Sequence, residues 1–289
     1  MVGAHVLAGA VDDFVVGRAA NDLSALTGDL LRHHGLLRSV DARVVRQSPW
    51  DYVGVELARV KVQLCGSLAI VVEGRRVESE LPGRQGRLLF AFLTLNRLRT
   101  LERSEVLCAL WPDGRDGGLA PLLSKLRRVV PLDGMRLDDA HVDVEAAIDA
   151  LHRAESALAQ GDAHRAWGPS QVALFTSGRP LLGGEEAAWL DDERRRLDDV
   201  HVRALEAYAS ATLAIGGTER PAAVRAAREL TRREPFRESG WRILMQALAA
   251  EGNTAEALHA YDRLRVLLRE ELGVAPSTPT QEVHKALLG

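Results

Sequence analysis

Trp241-Arg-Ile-Leu-Met-Gln-Ala-Leu-Ala-Ala-Glu-Gly-Asn-Thr-Ala-Glu-Ala-Leu-His-Ala-Tyr-Asp-Arg-Leu264 decides the fold of the C-terminal half of this chain. Two apolar helical runs flank a Gly-Asn turn, so the stretch reads as a helix pair. Trp241 and Leu244 mark the first helix; Ala257 and Tyr261, four apart, mark the second. The pattern recurs 34 residues upstream, where Ala207, Ser210 and Ala214 stand for Trp241, Leu244 and Leu248, and Ala223, Ala227 and Leu230 for Ala257, Tyr261 and Leu264. A small residue is needed where two helices approach closest, and the aromatics fill the space beside it. This period and these positions are those of a tetratricopeptide repeat (TPR).

A looser copy of the helix turn lies at Gly161-Asp-Ala-His-Arg-Ala-Trp167, which resembles Gly252-Asn-Thr-Ala-Glu-Ala-Leu258. Helices are expected at about 144–160, 163–175, 185–215, 220–233, 238–251, 254–271 and 280–288, giving a TPR-like domain over 144–289. In Asp191-Asp-Glu-Arg-Arg-Arg-Leu197 an acidic block precedes a basic one, which suits a solvated face held by i, i+4 pairs. Trp111, Trp189 and Trp241 belong on apolar faces, whereas Trp167, beside Gly168-Pro169, suits a groove.

The N-terminal half reads differently. Val62, Leu64, Leu68, Ile70 and Val72 surround turn residues at Gly66-Ser67 and Gly74, a pattern of short antiparallel strands with a third starting at Val77. Three helices follow, at about 84–98, 102–111 and 119–130. Residues 1–60 show only one plausible amphipathic helix, at 21–37, and read as an extension of unknown role. The fold class is therefore mostly α, with a small α+β winged helix over 61–137 ahead of an all-α repeat domain.

The third helix, Leu119-Ala-Pro-Leu-Leu-Ser-Lys-Leu-Arg-Arg-Val-Val130, holds the most telling chemistry. Leu119, Leu122, Leu126 and Val129 form an inward stripe, leaving Ser124, Lys125, Arg127 and Arg128 on the opposite arc. Three cations and a short hydroxyl suit a helix laid in the major groove, where cations reach phosphate or guanine. Arg84 and Arg87 near the start of the first helix, and Arg103 at the start of the second, are placed to hold backbone phosphate beside helix N-termini. Solvated surface cations satisfy the same pattern, and the residues alone leave both readings open.

Charge distribution points the same way. Residues 61–130 carry twelve Lys/Arg against seven Asp/Glu, while the net formal charge of the chain is −3. A basic middle suits a polyanion and an acidic remainder suits a protein partner. Two cysteines, Cys65 and Cys108, form no CxxC, which fits a reducing compartment and neither a zinc site nor a disulfide framework. The start lacks a basic segment and runs into Asp12-Asp13, so a cytoplasmic, nucleoid-associated location is expected. Phosphate-loop, dinucleotide-binding and nucleophile-elbow motifs do not occur, so neither an enzyme nor a cofactor is expected. Asp138-Asp-Ala-His-Val-Asp143 has spacing open to a metal, but reads better as a connector capping the helix that begins near Val144.

Residues 61–289 resemble the Streptomyces antibiotic regulatory protein family, also called the bacterial transcriptional activator domain family. The resemblance rests on Val62-Gln-Leu-Cys-Gly-Ser-Leu-Ala-Ile70, Arg84-Gln-Gly-Arg-Leu-Leu-Phe-Ala-Phe-Leu93, Val106-Leu-Cys-Ala-Leu-Trp-Pro-Asp113 and Leu123-Ser-Lys-Leu-Arg-Arg128. It continues through Glu234-Pro-Phe-Arg-Glu238, Ala257-Leu-His-Ala-Tyr-Asp-Arg-Leu264 and Glu270-Glu-Leu-Gly-Val-Ala-Pro276. It implies a winged helix on promoter double-stranded DNA, activation through RNA polymerase, and a repeat domain for homo-oligomerisation, signal reception or a protein partner.

Two departures bear on that implication. Gly114-Arg-Asp-Gly-Gly-Leu-Ala-Pro121 is shorter than the family's connection to the third helix. Pro131-Leu-Asp-Gly-Met-Arg-Leu137 replaces its longer wing, with Met135 where the family has Tyr. They motivate an alternative expectation, a non-catalytic TPR-type interaction scaffold that has lost DNA binding.

Overall fold

The computed structural model describes residues 58–114 and 118–289, which divide into two compact units. The expected helix at 21–37 lies outside the described residues. The first unit closes with Asp143 and also takes in Leu182–Trp189; the second comprises Val144–Leu181 and Leu190–Gly289.

In the first unit, β1 (Val60–Gln63), β2 (Ala69–Val72) and β3 (Arg75–Arg76) pair antiparallel in sequence, and Gly74 takes the left-handed conformation of the tight β2–β3 turn. Val77, expected to start a strand, instead leads into a 3-10 turn at Glu78–Glu80 and is fully buried. Three helices follow: α1 (Gly83–Leu95), α2 (Arg103–Leu110) and α3 (Leu119–Leu126). A fourth strand, β4 (Ala140–Val142), pairs parallel to β1 and completes the sheet order β3-β2-β1-β4. Residues 140–142 belong to the segment read as a capping connector. A three-residue strand carries too little periodicity to be seen from sequence, and its pairing with β1, some 80 residues earlier, is a tertiary event. Among the described residues no cluster of metal-ligating side chains occurs there or elsewhere.

Asp143 joins the ends of this unit. Its buried carboxylate accepts hydrogen bonds from the backbone N–H groups of Leu64 and Cys65, each at 2.9 Å. The carbonyl of Leu64 accepts from Leu182 N–H at 2.8 Å. The turn after β1, the residue following β4 and the 182–189 segment therefore meet at one dipeptide. The helix expected from about 185 begins instead at Ala188, and the segment packs beside α1. The Phe92 and Trp189 rings meet edge to face with centroids 5.2 Å apart, and Leu182 is buried.

The second unit is helical: α4 (Asp143–Ala159), α5 (Ala163–Ser177), α6 (Ala188–Ile215), α7 (Arg220–Arg233), α8 (Glu238–Ala250), α9 (Thr254–Leu272) and α10 (Thr278–Leu288). The 34-residue spacing is built as expected. Ala223, Ala227, Ala257, Leu230 and Leu264 are fully buried, Trp241 and Tyr261 nearly so, and α8 packs against both α7 and α9. Gly240 is required by that closeness, since a Cβ there would lie 2.9 Å from Leu230 Cγ. Trp241 Nε1 donates to the Pro235 carbonyl at 2.9 Å. Trp167 is packed rather than open in a groove: it lies against Ala157, Ala166 and Ala211, and its indole donates to Glu219 at 3.3 Å. The charge run on α6 pairs at i, i+3, with Asp191, Asp192 and Glu193 holding Arg194, Arg195 and Arg196, rather than at i, i+4.

Carboxylates tie the helices together. Glu238 at the start of α8 accepts from the Ser277 backbone N–H at 2.9 Å and from its hydroxyl at 2.8 Å, fastening α10. Partial burial raises its pKa, but the bonds from Thr280 and Ser277 outweigh that and leave it below the usual carboxylate value. Arg232, then Arg233, hold Glu229 down to about 2.

Asp143→Ala leaves two buried N–H groups without an acceptor and should destabilise the first unit by about 3 kcal/mol, read as a lower denaturant midpoint; an unchanged midpoint refutes the clamp. Glu229 and Glu238 have lowered folded pKa values, so their contribution is present above about pH 4.5 and is lost as pH falls through those folded values, about 2 for Glu229. The Tm of Glu238→Gln should therefore converge on that of the wild type in acid and lie below it at neutral pH.

Candidate nucleic-acid interface

The third helix is placed by its apolar arc. Leu119, Leu123 and Leu126 are buried, with Val130 just beyond, while Leu122 and Val129 are half-buried. The buried arc is thus wider than the stripe read from sequence and centred one residue further along. Ser124, Lys125, Arg127 and Arg128 are all exposed, as that stripe required. The helix is shorter than expected, eight residues ending at Leu126. The amides of Arg128 and Val129 turn to acceptors three residues back, at 3.2 and 2.9 Å, which tightens the chain ahead of Val129-Val130-Pro131. Ser124 and Lys125 therefore lie on α3 itself, and Arg127 and Arg128 on the turn that closes it.

The start of α3 needs no side-chain cap. Gly118 occupies the left-handed region at φ +83°, and Pro121 falls in the first turn, where its missing N–H costs no helical hydrogen bond. The stunted wing is also present: Asp133 and Arg136 form a single antiparallel bridge with bonds of 3.0 and 2.8 Å, turning on Gly134-Met135. Its base is buried through Val130 and Leu137.

The cations divide into two groups. Among the described residues, Lys125, Arg128 and Arg103 make no ion pair, and Arg103 stands exposed at the first position of α2, beside a capping box formed by Glu102 and Glu105. Arg127 donates from Nη2 to the Gly134 carbonyl at 2.8 Å. Arg84 and Arg87 have a different occupation: their Nε atoms lie 3.3 and 2.7 Å from the carboxylate of Glu185, which is largely buried, and Arg84 also donates to the Glu186 carbonyl. Sequence reasoning could not foresee this pairing, since Glu185 lies about 100 residues away in an unremarkable acidic pair.

These features define a winged-helix protein with a basic, outward-facing third helix, joined to a TPR-like helical array. The family model for the bacterial transcriptional activator domain matches residues 142–288. Regulatory protein AfsR of Streptomyces griseus is 30% identical over 217 residues, which cover 71% of this chain and 22% of that protein. Transcriptional regulatory protein EmbR of Mycobacterium tuberculosis is 26% identical over 251 residues, covering 80% of this chain and 63% of that one. Regulatory protein DnrI of Streptomyces peucetius is 29% identical over 153 residues, covering 53% and 56%. This chain thus spans about a fifth of the length of AfsR and under two thirds of EmbR. The solved structure of Mycobacterium tuberculosis EmbR in complex with a low-affinity phosphopeptide shares the fold, with a TM-score of 0.66 at 23% identity over 80% of this chain and 65% of that one.

The chain belongs to the bacterial transcriptional activator domain family, that of the Streptomyces antibiotic regulatory proteins.

Glu185→Ala should remove the carboxylate shared by Arg84 and Arg87, leaving Arg84 its bond to the Glu186 carbonyl, and loosen the 182–189 segment. The loss is at most about 1 kcal/mol, because both arginine side chains are in part open to solvent. Hydrogen exchange at residues 182–189 should accelerate by up to roughly fivefold, with α8 and α9 unaffected; unchanged exchange would show that the apolar contacts and the Leu182–Leu64 hydrogen bond hold the segment without Glu185.

Proposed function

We propose that the protein is a DNA-binding transcriptional regulator, and an activator, that lays α3 in the major groove of promoter double-stranded DNA. Ser124, Lys125, Arg127 and Arg128 contact the DNA, and Arg103 holds a backbone phosphate beside the start of α2. The observation that carries this reading is the set of four exposed polar side chains on and just after α3, none of whose three cations has an ion-pair partner among the described residues, Arg127 donating to a backbone carbonyl instead. An unpaired cation retains its full attraction for phosphate, whereas a paired one must first give up its acid. Arg84 and Arg87 join the interface only by exchanging the Glu185 carboxylate for phosphate. The helical unit then serves oligomerisation, reception of a signal, or contact with RNA polymerase. The names of AfsR, EmbR and DnrI, all regulators, support this assignment. Among the described residues no helix is long and apolar enough to cross a membrane.

A second reading is a non-catalytic protein-interaction scaffold, favoured by the wing's reduction to one bridge. Salt separates the two. DNA binding through several phosphates weakens steeply with salt, with a slope in log K against log salt of about −0.9 per contact. Lys125→Ala and Arg128→Ala should each reduce that slope by about 1 and lower affinity for upstream DNA in a mobility shift with competitor. Affinity and slope equal to those of the wild type in both variants would remove α3 from the interface. No shift by folded protein at low salt would favour the scaffold.

A further inference from the structure

We propose that Arg127 is a positioning residue whose guanidinium sets the wing against the third helix, an inference that rests on the DNA-binding reading above. The wing cannot hold its own geometry. It has one bridge, Asp133 with Arg136, and its two-residue tip includes Gly134 at φ +60°. An isolated pair of strands is marginal in water even when several residues long, and this one has a single rung. Burial of Val130 and Leu137 fixes the base but not the direction of the tip.

Arg127 supplies the missing restraint. Its backbone is fixed because its N–H closes the last α-helical turn on the Leu123 carbonyl at 2.9 Å, with helical φ and ψ. From there Nη2 reaches the Gly134 carbonyl at 2.8 Å. The strut therefore runs from α3, through a planar group, to the tip of the wing. A guanidinium has five N–H donors in one plane, so one bond to a carbonyl orients the remaining donors without consuming them. Those donors stay available for phosphate. Lys125 and Arg128, with no such partner among the described residues, act as free cations. In this arrangement the shortened wing is compensated: the reach lost in its strands is replaced by a fixed angle to the recognition helix.

A lysine at 127 separates charge from strut, because it keeps the cation and loses the planar fork. The test uses the full chain, free and with a promoter duplex, for the wild type, Arg127→Lys, Arg127→Ala and, as a control, Arg128→Ala. Backbone 15N relaxation of the free protein should show order parameters at Gly134, Met135 and Arg136 falling from about 0.85 to below about 0.6 in both Arg127 variants and not in Arg128→Ala. On DNA, Arg127→Lys should keep the wild-type salt slope while affinity falls about three- to tenfold, the size expected for one lost solvent-exposed hydrogen bond of ordinary net strength. Unchanged order parameters in both variants overturn the proposal, whatever the DNA result. Reduced order with unchanged affinity overturns the claim that wing placement serves binding. If the wild type itself binds no DNA at low salt, the proposed function fails, while the relaxation data still decide whether Arg127 holds the wing.

Discussion

The buried carboxylate of Asp143 is the interaction on which the first unit depends. It terminates the turn after β1 by accepting from Leu64 and Cys65, and it does so from the first residue of α4, just after β4. One side chain therefore joins the start and end of the winged helix and forces β4 alongside β1. A carboxylate suits this task because its two oxygens bond both N–H groups and the charge strengthens each bond. The same dipeptide also receives Leu182, so the returning segment is registered on the fixed point that closes the sheet.

That segment changes the meaning of the arginines on α1. From sequence, Arg84 and Arg87 are cations near a helix start, and phosphate is a reasonable occupant. In the fold a carboxylate from Glu185 fills the position, with Phe92 and Trp189 packed beside it. Electrostatics at this end of α1 is satisfied within the protein. The outward charge of the unit is concentrated instead around α3 and the first turn of α2, where Lys125, Arg128 and Arg103 have no acid partner among the described residues. The helical array shows the converse: Arg203 with Glu155, Arg228 with Glu256, Arg233 with Asp198 and Arg237 with Glu206 tie helix to helix. These four cations are engaged within the fold.

Much of the architecture was legible. The helices of the second unit fall within about three residues of their expected bounds, because the 34-residue spacing of Ala223, Ala227, Ala257 and Tyr261 is a packing requirement repeated in sequence. The exposed set on and after α3 was legible for a similar reason: Leu119 and Leu126 fix the inward side, and Ser124, Lys125, Arg127 and Arg128 are left over. Helix ends were less legible. Val129-Val130-Pro131 discourages a further turn, but the apolar periodicity runs on through it, so the expected helix overran Leu126.

What is local or periodic is already written in the order of the residues: the helix pairs and their small-residue contacts, the winged-helix order, the shortened wing, and which cations of the third helix are turned outward. These follow from side-chain spacing along a regular backbone, which is the same before and after folding. The parallel strand at Ala140–Val142, the clamp from Asp143, the capture of Arg84 and Arg87 by Glu185, and the strut from Arg127 to Gly134 exist only once the chain has folded. Three of these join residues some 80 to 100 positions apart, whose meeting leaves no local spacing to read. The fourth spans seven positions, and it too depends on where a turn carries the chain once its helix has ended.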